Sequence, residues 1–374
     1  MPTHHVEYTG VLSPDASDRR RDIDVLRGVA IIAVVALHTS WTLLTHAPLY
    51  TPGGRILALV HLASGFGVPL FLALSAVGLS LRYDQPFAGV DAYLNFLQRR
   101  AQRLLPAYVA WSLVSLALRD PALLWPPQQV AWALLVGSAD IQFYFVPLLF
   151  QLYLLWPLLR AASVKNGGSR QSIGLGSAWA ISVLAWKGMI HTALSELPFL
   201  AIHIVGALWL KDALLDRPER RRTAMLATGL LAAAALVTTA QAFYAMLPPP
   251  VSQQAMVWAS TIFQPRPAIY CLAAIAFCFA CVTGERPQSA QAGGPWFARV
   301  LSMLGRRSYA VYLTHLVVAS NLTRHLIPAT VVQSSSAVVA VAALAASCCL
   351  TLAASLALGA ALERHRASAW LVGR

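Results

Sequence analysis

The stretch RGVAIIAVVALH, from Arg27 to His38, decides how the rest of the chain is interpreted. Between a cation and an imidazole lie ten residues, of which only Gly28 lacks an apolar side chain. The apolar run continues to about residue 45, which is long enough for a helix to cross the hydrocarbon core of a bilayer. The stretch therefore predicts a membrane-spanning helix with one ionisable group at its start and another far along it.

The composition extends this interpretation to the whole chain. The 374 residues are 57% hydrophobic and 11% charged, whereas an ordinary soluble domain carries about 25% charged residues. The polar first 24 residues, which include Arg19–Arg21, do not have the pattern of a cleavable signal peptide. The composition therefore predicts an all-α, polytopic membrane helix bundle.

Apolar runs that could cross a bilayer recur along the chain. Ten of them lie near residues 25–45, 61–81, 104–119, 141–159, 172–190, 198–210, 223–245, 268–283, 308–326 and 336–361. A further run, 130–136, is too short to span and is predicted to lie at the membrane interface. The predicted organisation is an N-terminal tail (1–24), a membrane domain (25–361) and a C-terminal tail (362–374).

The basic residues are distributed unevenly between the two sides of this map. With ten spans, 23 of the 28 Lys and Arg residues fall on the same side as both termini. Because positive residues concentrate in cytoplasmic loops, both tails are predicted to be cytoplasmic. The net charge of +13 is thus explained by short basic clusters between apolar runs, and nucleic-acid binding is not expected.

The cysteines also lie in apolar runs and are expected to be buried, reduced thiols. They are Cys271, Cys278, Cys281, Cys348 and Cys349. One pair has the spacing of metal ligands, but no second pair and no nearby histidine or carboxylate accompanies it. No metal site is therefore expected.

Helical geometry relates Arg27 to His38. Eleven residues at about 100° each bring His38 within about 20° of the face of Arg27, roughly 16 Å along the axis. Taken separately, Arg27 is best explained as a topology signal, whereas His38 is explained equally well as a packed, hydrogen-bonded histidine and as a functional one. Because ionisable groups deep in a membrane usually face a cavity, the two together favour a shared cavity with an anion site at its cytoplasmic mouth and an imidazole further in.

Three other motifs could contribute to such a site. FLQRRAQRLLPAY (96–108) places Arg100 and Arg103 one turn apart, where guanidiniums could bind phosphates bidentately or serve as topology signals only. GFGVPLFLALSAVG (65–78) contains Ser75 among small residues that permit close helix packing. GRRSYAVYLTH (305–315) places three polar side chains on roughly one face, as a site or as a packed polar seam; they are Ser308, Tyr312 and His315.

The order of these motifs resembles the bacterial integral-membrane acyltransferase family 3. The similar segments are DVLRGVAIIAVVALH, GVPLFLALS, RRAQRLLPAY, FYFVPLLFQLYLLWPLL and SYAVYLTH. The resemblance covers about residues 20–360. It implies a ten-span protein of the bacterial inner membrane that transfers an acyl group to a sugar of a surface polysaccharide or exopolysaccharide precursor.

The resemblance also implies roles for individual residues. It makes His38 catalytic, with Arg27 as its paired arginine, and assigns Arg100 and Arg103 to the acyl-coenzyme A site. Arg27, at the predicted cytoplasmic end of its helix, is expected to help these two arginines hold the phosphates of the donor. Tyr153 and Pro157 match the family's motif in the fourth span, and Ser308, Tyr312 and His315 match its motif in the ninth span. The possible supporting residues of the site are Ser75, Tyr153, Ser308, Tyr312 and His315. The implied donor is an acyl-coenzyme A, with acetyl as the expected acyl group, and no bound cofactor is implied.

Some positions depart from the family's pattern. Val25 replaces a usual Gly, and Leu72 and Ala76 replace a Phe and a Gly of the second span. Leu149 and Phe150 stand where many relatives carry acidic residues, so this chain offers no carboxylate there. These differences bear on the class of acceptor more than on the reaction.

Several mechanisms and functions remain open at this level. The imidazole of His38 could act as a general base on the acceptor hydroxyl or carry the acyl group itself, and Ser75 or Tyr312 could stabilise the oxyanion. The partners implied are acyl-coenzyme A, a carbohydrate or lipid-linked sugar, and the bilayer. A transporter of an anionic glycolipid or sugar conjugate would use the same arginines for binding and His38 as a proton relay. A structural membrane protein would leave both groups without a role.

Overall fold

The computed structural model describes most of the chain. The described residues are 15–45, 51–83, 86–162, 177, 181, 201, 203–208, 220–245, 269–276, 296–326 and 336–373. All regular structure within them is helical, and they form no β-strand. The predicted all-α helix bundle is thus confirmed.

The following helices lie in the described part of the chain. In chain order they are α1 (Asp15–Leu44), α2 (Pro52–Ser64), α3 (Gly67–Arg82), α4 (Val90–Arg119), α5 (Pro127–Val136), α6 (Phe145–Ala162), α7 (Arg220–Ala245), α8 (Trp296–Arg306), α9 (Ser308–Leu326) and α10 (Ala337–Glu363). Two 3₁₀ turns cover Pro121–Leu124 and Ala369–Val372. Helix α1 contacts α2, α3, α8, α9 and α10, so it lies at the centre of the bundle.

Three helical stretches of the described residues are long and apolar enough to cross a membrane. They are Ile23–Leu44, Pro52–Arg82 and Ala337–Glu363. The predicted spans 308–326 and 336–361 closely match α9 and α10, and 223–245 matches α7. Most of the predicted span 172–190 and parts of the predicted spans 198–210 and 268–283 lie outside the described residues, so the number of spans stays a prediction.

The predicted start of the second span, residue 61, is wrong. Helix α2 begins at Pro52, and the Thr51 hydroxyl caps it by accepting a hydrogen bond from the Gly54 N–H at 3.1 Å. Proline at the first helical position and a threonine cap are strong start signals. Hydropathy does not reveal these start signals, because the two glycines and Arg55 that follow them lower the mean hydropathy of the first turn.

Helix α4 also differs from its prediction. It begins at Val90, so the predicted span 104–119 is only its second half. Pro106, which would fall in the first turn of a helix that began at residue 104, lies in the interior of α4. The predicted interfacial run 130–136 forms α5, which ends at Gly137 in the left-handed conformation (φ 76°). The predicted span 141–159 starts as a turn and becomes α-helical only at Phe145.

The predicted burial of the cysteines holds for only part of the set. Cys271 is fully buried, whereas Cys349 is exposed on α10. The prediction for Cys349 is wrong because this face of α10 packs against no other described residue, and an apolar residue in a membrane helix can face lipid as readily as protein. Cys278 and Cys281 lie outside the described residues.

Two glycines bring α8 into backbone contact with α1. A Cβ on Gly28 would overlap the backbone of Leu301, and a Cβ on Gly305 would overlap the backbone of Asp24. Close approach of this kind is what small residues permit between membrane helices. The contact fixes the position of Arg27, next to Gly28, relative to the start of α9.

Gly305→Ala is therefore expected to lower the free energy of unfolding by about 1–3 kcal/mol, because the added methyl group must push two backbones apart. Gly229→Ala on α7 is the matched control. Its Cβ would meet nothing within 4 Å, so it should be neutral or stabilise by up to about 1 kcal/mol through helix propensity. Denaturant unfolding of both variants in micelles measures the difference. Equal stabilities for the two variants would contradict the close α1–α8 contact.

Candidate active site

A cavity of about 320 Å³ lies between α1, α4 and the junction of α8 with α9. It gathers side chains that are far apart in the sequence. The predicted site residues in its lining are Arg27, Ser75, Arg100, Arg103, Tyr153, Ser308 and Tyr312. The three arginines expected to bind the donor thus share one cavity, at the end of the bundle that is predicted to be cytoplasmic.

The three guanidiniums of this arginine cluster, which consists of Arg27, Arg100 and Arg103, differ in their contacts. Arg27 Nη1 lies 3.6 Å from the Asp24 carboxylate, one turn earlier on α1. The Arg100 guanidinium lies over the Tyr153 ring, 5.2 Å from its centroid, and Arg103 is solvent-exposed. Arg27 is close enough to Arg100 and Arg103 for their charges to repel. An anion in the cavity would relieve this repulsion.

Sequence reasoning missed further charged residues of this cavity. Arg306 and Arg307 also line it, although in the sequence they belong to the basic residues that indicate topology. Arg306 donates to the Ser302 hydroxyl at 2.8 Å, and Arg307 lies 4.0 Å from the Glu363 carboxylate at the end of α10. Their position directly before Ser308, in the same motif, was the one signal that could have identified them.

The C-terminal residues form another part of the cavity wall. They were predicted as a tail, and the structure places them against the bundle. Val372 and Gly373 line the cavity, and the Trp111 indole N–H on α4 donates to the Leu371 carbonyl at 2.9 Å. Gly373 has φ 76° and lies against the Tyr309 ring, where a side chain would not fit.

Aromatic rings close the cavity on its inner side. Phe71, Phe145 and Tyr312 form a continuous contact, with ring centroids 6.0 Å and 5.4 Å apart in that order. The Tyr312 hydroxyl donates to the Gln142 carbonyl, and the Ser75 hydroxyl donates to the Phe71 carbonyl at 2.8 Å. Either hydroxyl would have to leave its carbonyl before it could stabilise an oxyanion.

His38 and His315 lie beyond this aromatic wall rather than in the cavity lining. Their ring centroids are 5.2 Å apart and their planes are tilted by 43°. His315 is fully buried and lies 5.9 Å, ring to ring, from Tyr312. Tyr312 therefore contacts both the arginine-lined cavity and the histidine pair.

Two other residues bear on the predicted set. His61 on α2, which sequence reasoning did not single out, places its Nδ1 3.1 Å from the Leu37 carbonyl, next to His38. No sequence pattern identifies His61, because only the packing of α2 against α1 brings it next to His38. Pro157, which matches the family's motif in the fourth span, is exposed on α6 and does not line the cavity.

Comparisons with known proteins agree with the resemblance of the motifs. A family model described as an acyltransferase domain matches residues 20–360. A protein from Komagataeibacter xylinus named as a membrane-bound transacylase, BcsY, is 36% identical over 126 residues, which are 33% of this chain and 24% of that protein. The match thus spans about a quarter of the relative's length. No solved structure matches the chain.

Proposed function

This chain belongs to the acyltransferase family whose model matches residues 20–360, and from that membership we propose that it transfers an acyl group from an acyl-coenzyme A to a sugar hydroxyl at the membrane. The observation that carries the donor assignment is the convergence of Arg27, Arg100 and Arg103 on one cavity. Coenzyme A carries a phosphate and a pyrophosphate, and guanidiniums bind such groups through paired, charge-assisted hydrogen bonds.

The volume of the cavity supports a proposal in which it holds only one end of the donor molecule. Ligand pockets typically enclose about 300–1,000 Å³, so a cavity of about 320 Å³ suits part of the donor rather than all of it. The nucleotide would lie at the arginines, and the thin acyl-bearing arm would pass the aromatic wall of Phe71, Phe145 and Tyr312. The thioester would then reach His38, further along α1.

His38 supplies the proton chemistry in this proposal. Imidazole is a suitable base near neutral pH. As the acceptor oxygen attacks the thioester carbonyl, His38 takes the hydroxyl proton, a C–O bond forms and the C–S bond breaks. The proton then passes from His38 to the departing thiolate, which leaves as coenzyme A. The same ring could instead carry the acyl group on a nitrogen before the hydroxyl attacks.

The proposed acceptor is a carbohydrate of a surface polysaccharide or exopolysaccharide precursor, and the proposed acyl group is acetyl. The support for this proposal is the family and the presence of several long apolar helices. The proposed location of the enzyme is the inner membrane of a bacterium. Mass spectrometry of surface glycans tests this directly. A strain lacking the gene should lose one acyl modification, and the wild-type gene should restore it. Identical glycans with and without the gene would overturn the proposed acceptor class.

A further inference from the structure

The histidine pair has a feature that the proposed reaction does not by itself require. His315 is fully buried on α9, with its ring beside that of His38 on α1. Of the titratable groups in the described part of the chain, the ones that act electrostatically on His38 are His315 and His61. The ring of His38 thus has another imidazole, rather than a carboxylate, as its close partner.

Hydrogen bonding fixes which nitrogen of His315 carries its proton. Nδ1 lies 2.7 Å from the Tyr312 carbonyl oxygen, which can only accept, so Nδ1 must donate. In the neutral ring, Nε2 then holds the lone pair. Among the described residues Nε2 has no hydrogen-bond partner, although it is buried. A buried acceptor without a donor is costly, and such groups in native proteins call for an explanation.

We propose that His315 is a positioning residue for His38, an inference that rests on the proposed acyl transfer. Its Nε2 accepts a hydrogen bond from the N–H of His38, so that the other nitrogen of His38 presents its lone pair to the acceptor hydroxyl. The ring separation of 5.2 Å suits an N–H···N hydrogen bond between two imidazoles. Catalytic hydrogen bonds are often long or poorly aligned in an enzyme without substrate, and they shorten when the substrate binds.

The pair also stabilises the charge that develops during the reaction. When His38 takes the acceptor's proton it becomes an imidazolium with two N–H groups. One N–H then returns the proton to the leaving thiolate, and the other stays hydrogen-bonded to His315 Nε2. The pair is neutral before the proton transfer and after it, and carries one positive charge in between, because two adjacent imidazoliums would repel each other.

Tyr312 ties this arrangement to the donor cavity. Its main-chain carbonyl holds His315 Nδ1, while its ring contacts Phe145 in the aromatic wall. Its hydroxyl is in turn held by the Gln142 carbonyl. His315 is thus fixed by a residue that is itself fixed on two sides, as a positioning residue requires.

Two substitutions of His315 separate positioning from packing. His315→Asn keeps an N–H near the place of Nδ1 and loses the distal acceptor, whereas His315→Gln keeps an acceptor near the place of Nε2. With acetyl-coenzyme A as donor and lipid-linked glycans extracted from the producing bacterium as acceptors, kcat per folded molecule should fall about 10²-fold in the Asn variant. The Gln variant should stay within about tenfold of wild type. The donor KM should be unchanged in both, because the arginine cavity is intact.

A second measurement does not depend on a folded variant. Nitrogen-15 NMR of the histidine-labelled wild-type protein distinguishes the two tautomers of a neutral imidazole. His315 should carry its proton on Nδ1. A proton on Nε2 would overturn the proposal, because that nitrogen could then no longer accept from His38.

The other possible results of the kinetic experiment would overturn either the positioning role of His315 or the proposed function. Equal losses of kcat in the Asn and Gln variants, full activity in both, or a rise in donor KM alone would each overturn the positioning role and leave the acyl transfer standing. A wild-type protein that releases no thiol from acetyl-coenzyme A would instead overturn the proposed function, and this inference with it.

Discussion

His38→Ala is expected to lower acyl transfer by about 10²–10⁴-fold while the protein still inserts and folds. The reason is that the imidazole supplies the proton transfer in the proposed reaction, and removing a general base of this kind typically costs that much. The loss would be larger still if the ring carries the acyl group itself. The measurement is thiol release from acetyl-coenzyme A per folded molecule, in the presence of extracted lipid-linked glycans.

His61→Gln is the matched control for this prediction. His61 is also a half-buried histidine, and its ring contacts Trp41 on the same helix as His38. Its substitution should leave activity per folded molecule within a few-fold of wild type. If His38 were only a packing residue, His38→Ala would reduce the folded yield and leave the surviving molecules active. Full specific activity in the His38→Ala protein would end the proposed mechanism. A transporter would release no thiol in any variant.

The second large effect is expected at the arginine cluster. Arg100→Ala and Arg103→Ala should each weaken the binding of acetyl-coenzyme A by about 10–100-fold, because each removes a charge-assisted contact worth about 1.5–3 kcal/mol. Arg100→Lys should restore only part of the affinity, since an ammonium can neither fork onto a phosphate nor stack on Tyr153 as the planar guanidinium does. Calorimetric titration with acetyl-coenzyme A measures each affinity.

Arg99→Ala provides the comparison. Arg99 is exposed on the same turn of α4 but does not line the cavity, so it contributes the same net charge without the contact. Its loss should weaken donor binding only slightly, through long-range attraction that salt screens. Equal effects of Arg99→Ala and Arg103→Ala would mean that the arginines act as a diffuse positive field. The assignment of the cavity to the donor would then be wrong.

Most of the described helices could be predicted from long apolar runs. A membrane-spanning helix satisfies its own backbone hydrogen bonds, so its formation does not depend on a tertiary partner. The errors lie where short-range signals compete with hydropathy. Thr51 and Pro52 start α2 ahead of its apolar stretch, and Pro106 is tolerated inside α4.

The sequence by itself determined the membrane class, the helical placement of Arg27 and His38 on one face, and the pairing of Arg100 with Arg103. These features depend on composition and on the 3.6-residue period, both of which are local. It also determined the family, through the order of its motifs.

Only the tertiary structure decided which side chains share a space. It joined the α1 and α4 arginines to Arg306 and Arg307, and it placed His38 behind Tyr312 rather than in the cavity. Such neighbours come from helices hundreds of residues apart, and their meeting depends on how closely backbones approach, as at Gly28 and Gly305. No local sequence pattern predicts such a close contact, because the sequence around a glycine does not show whether that glycine faces lipid or another helix.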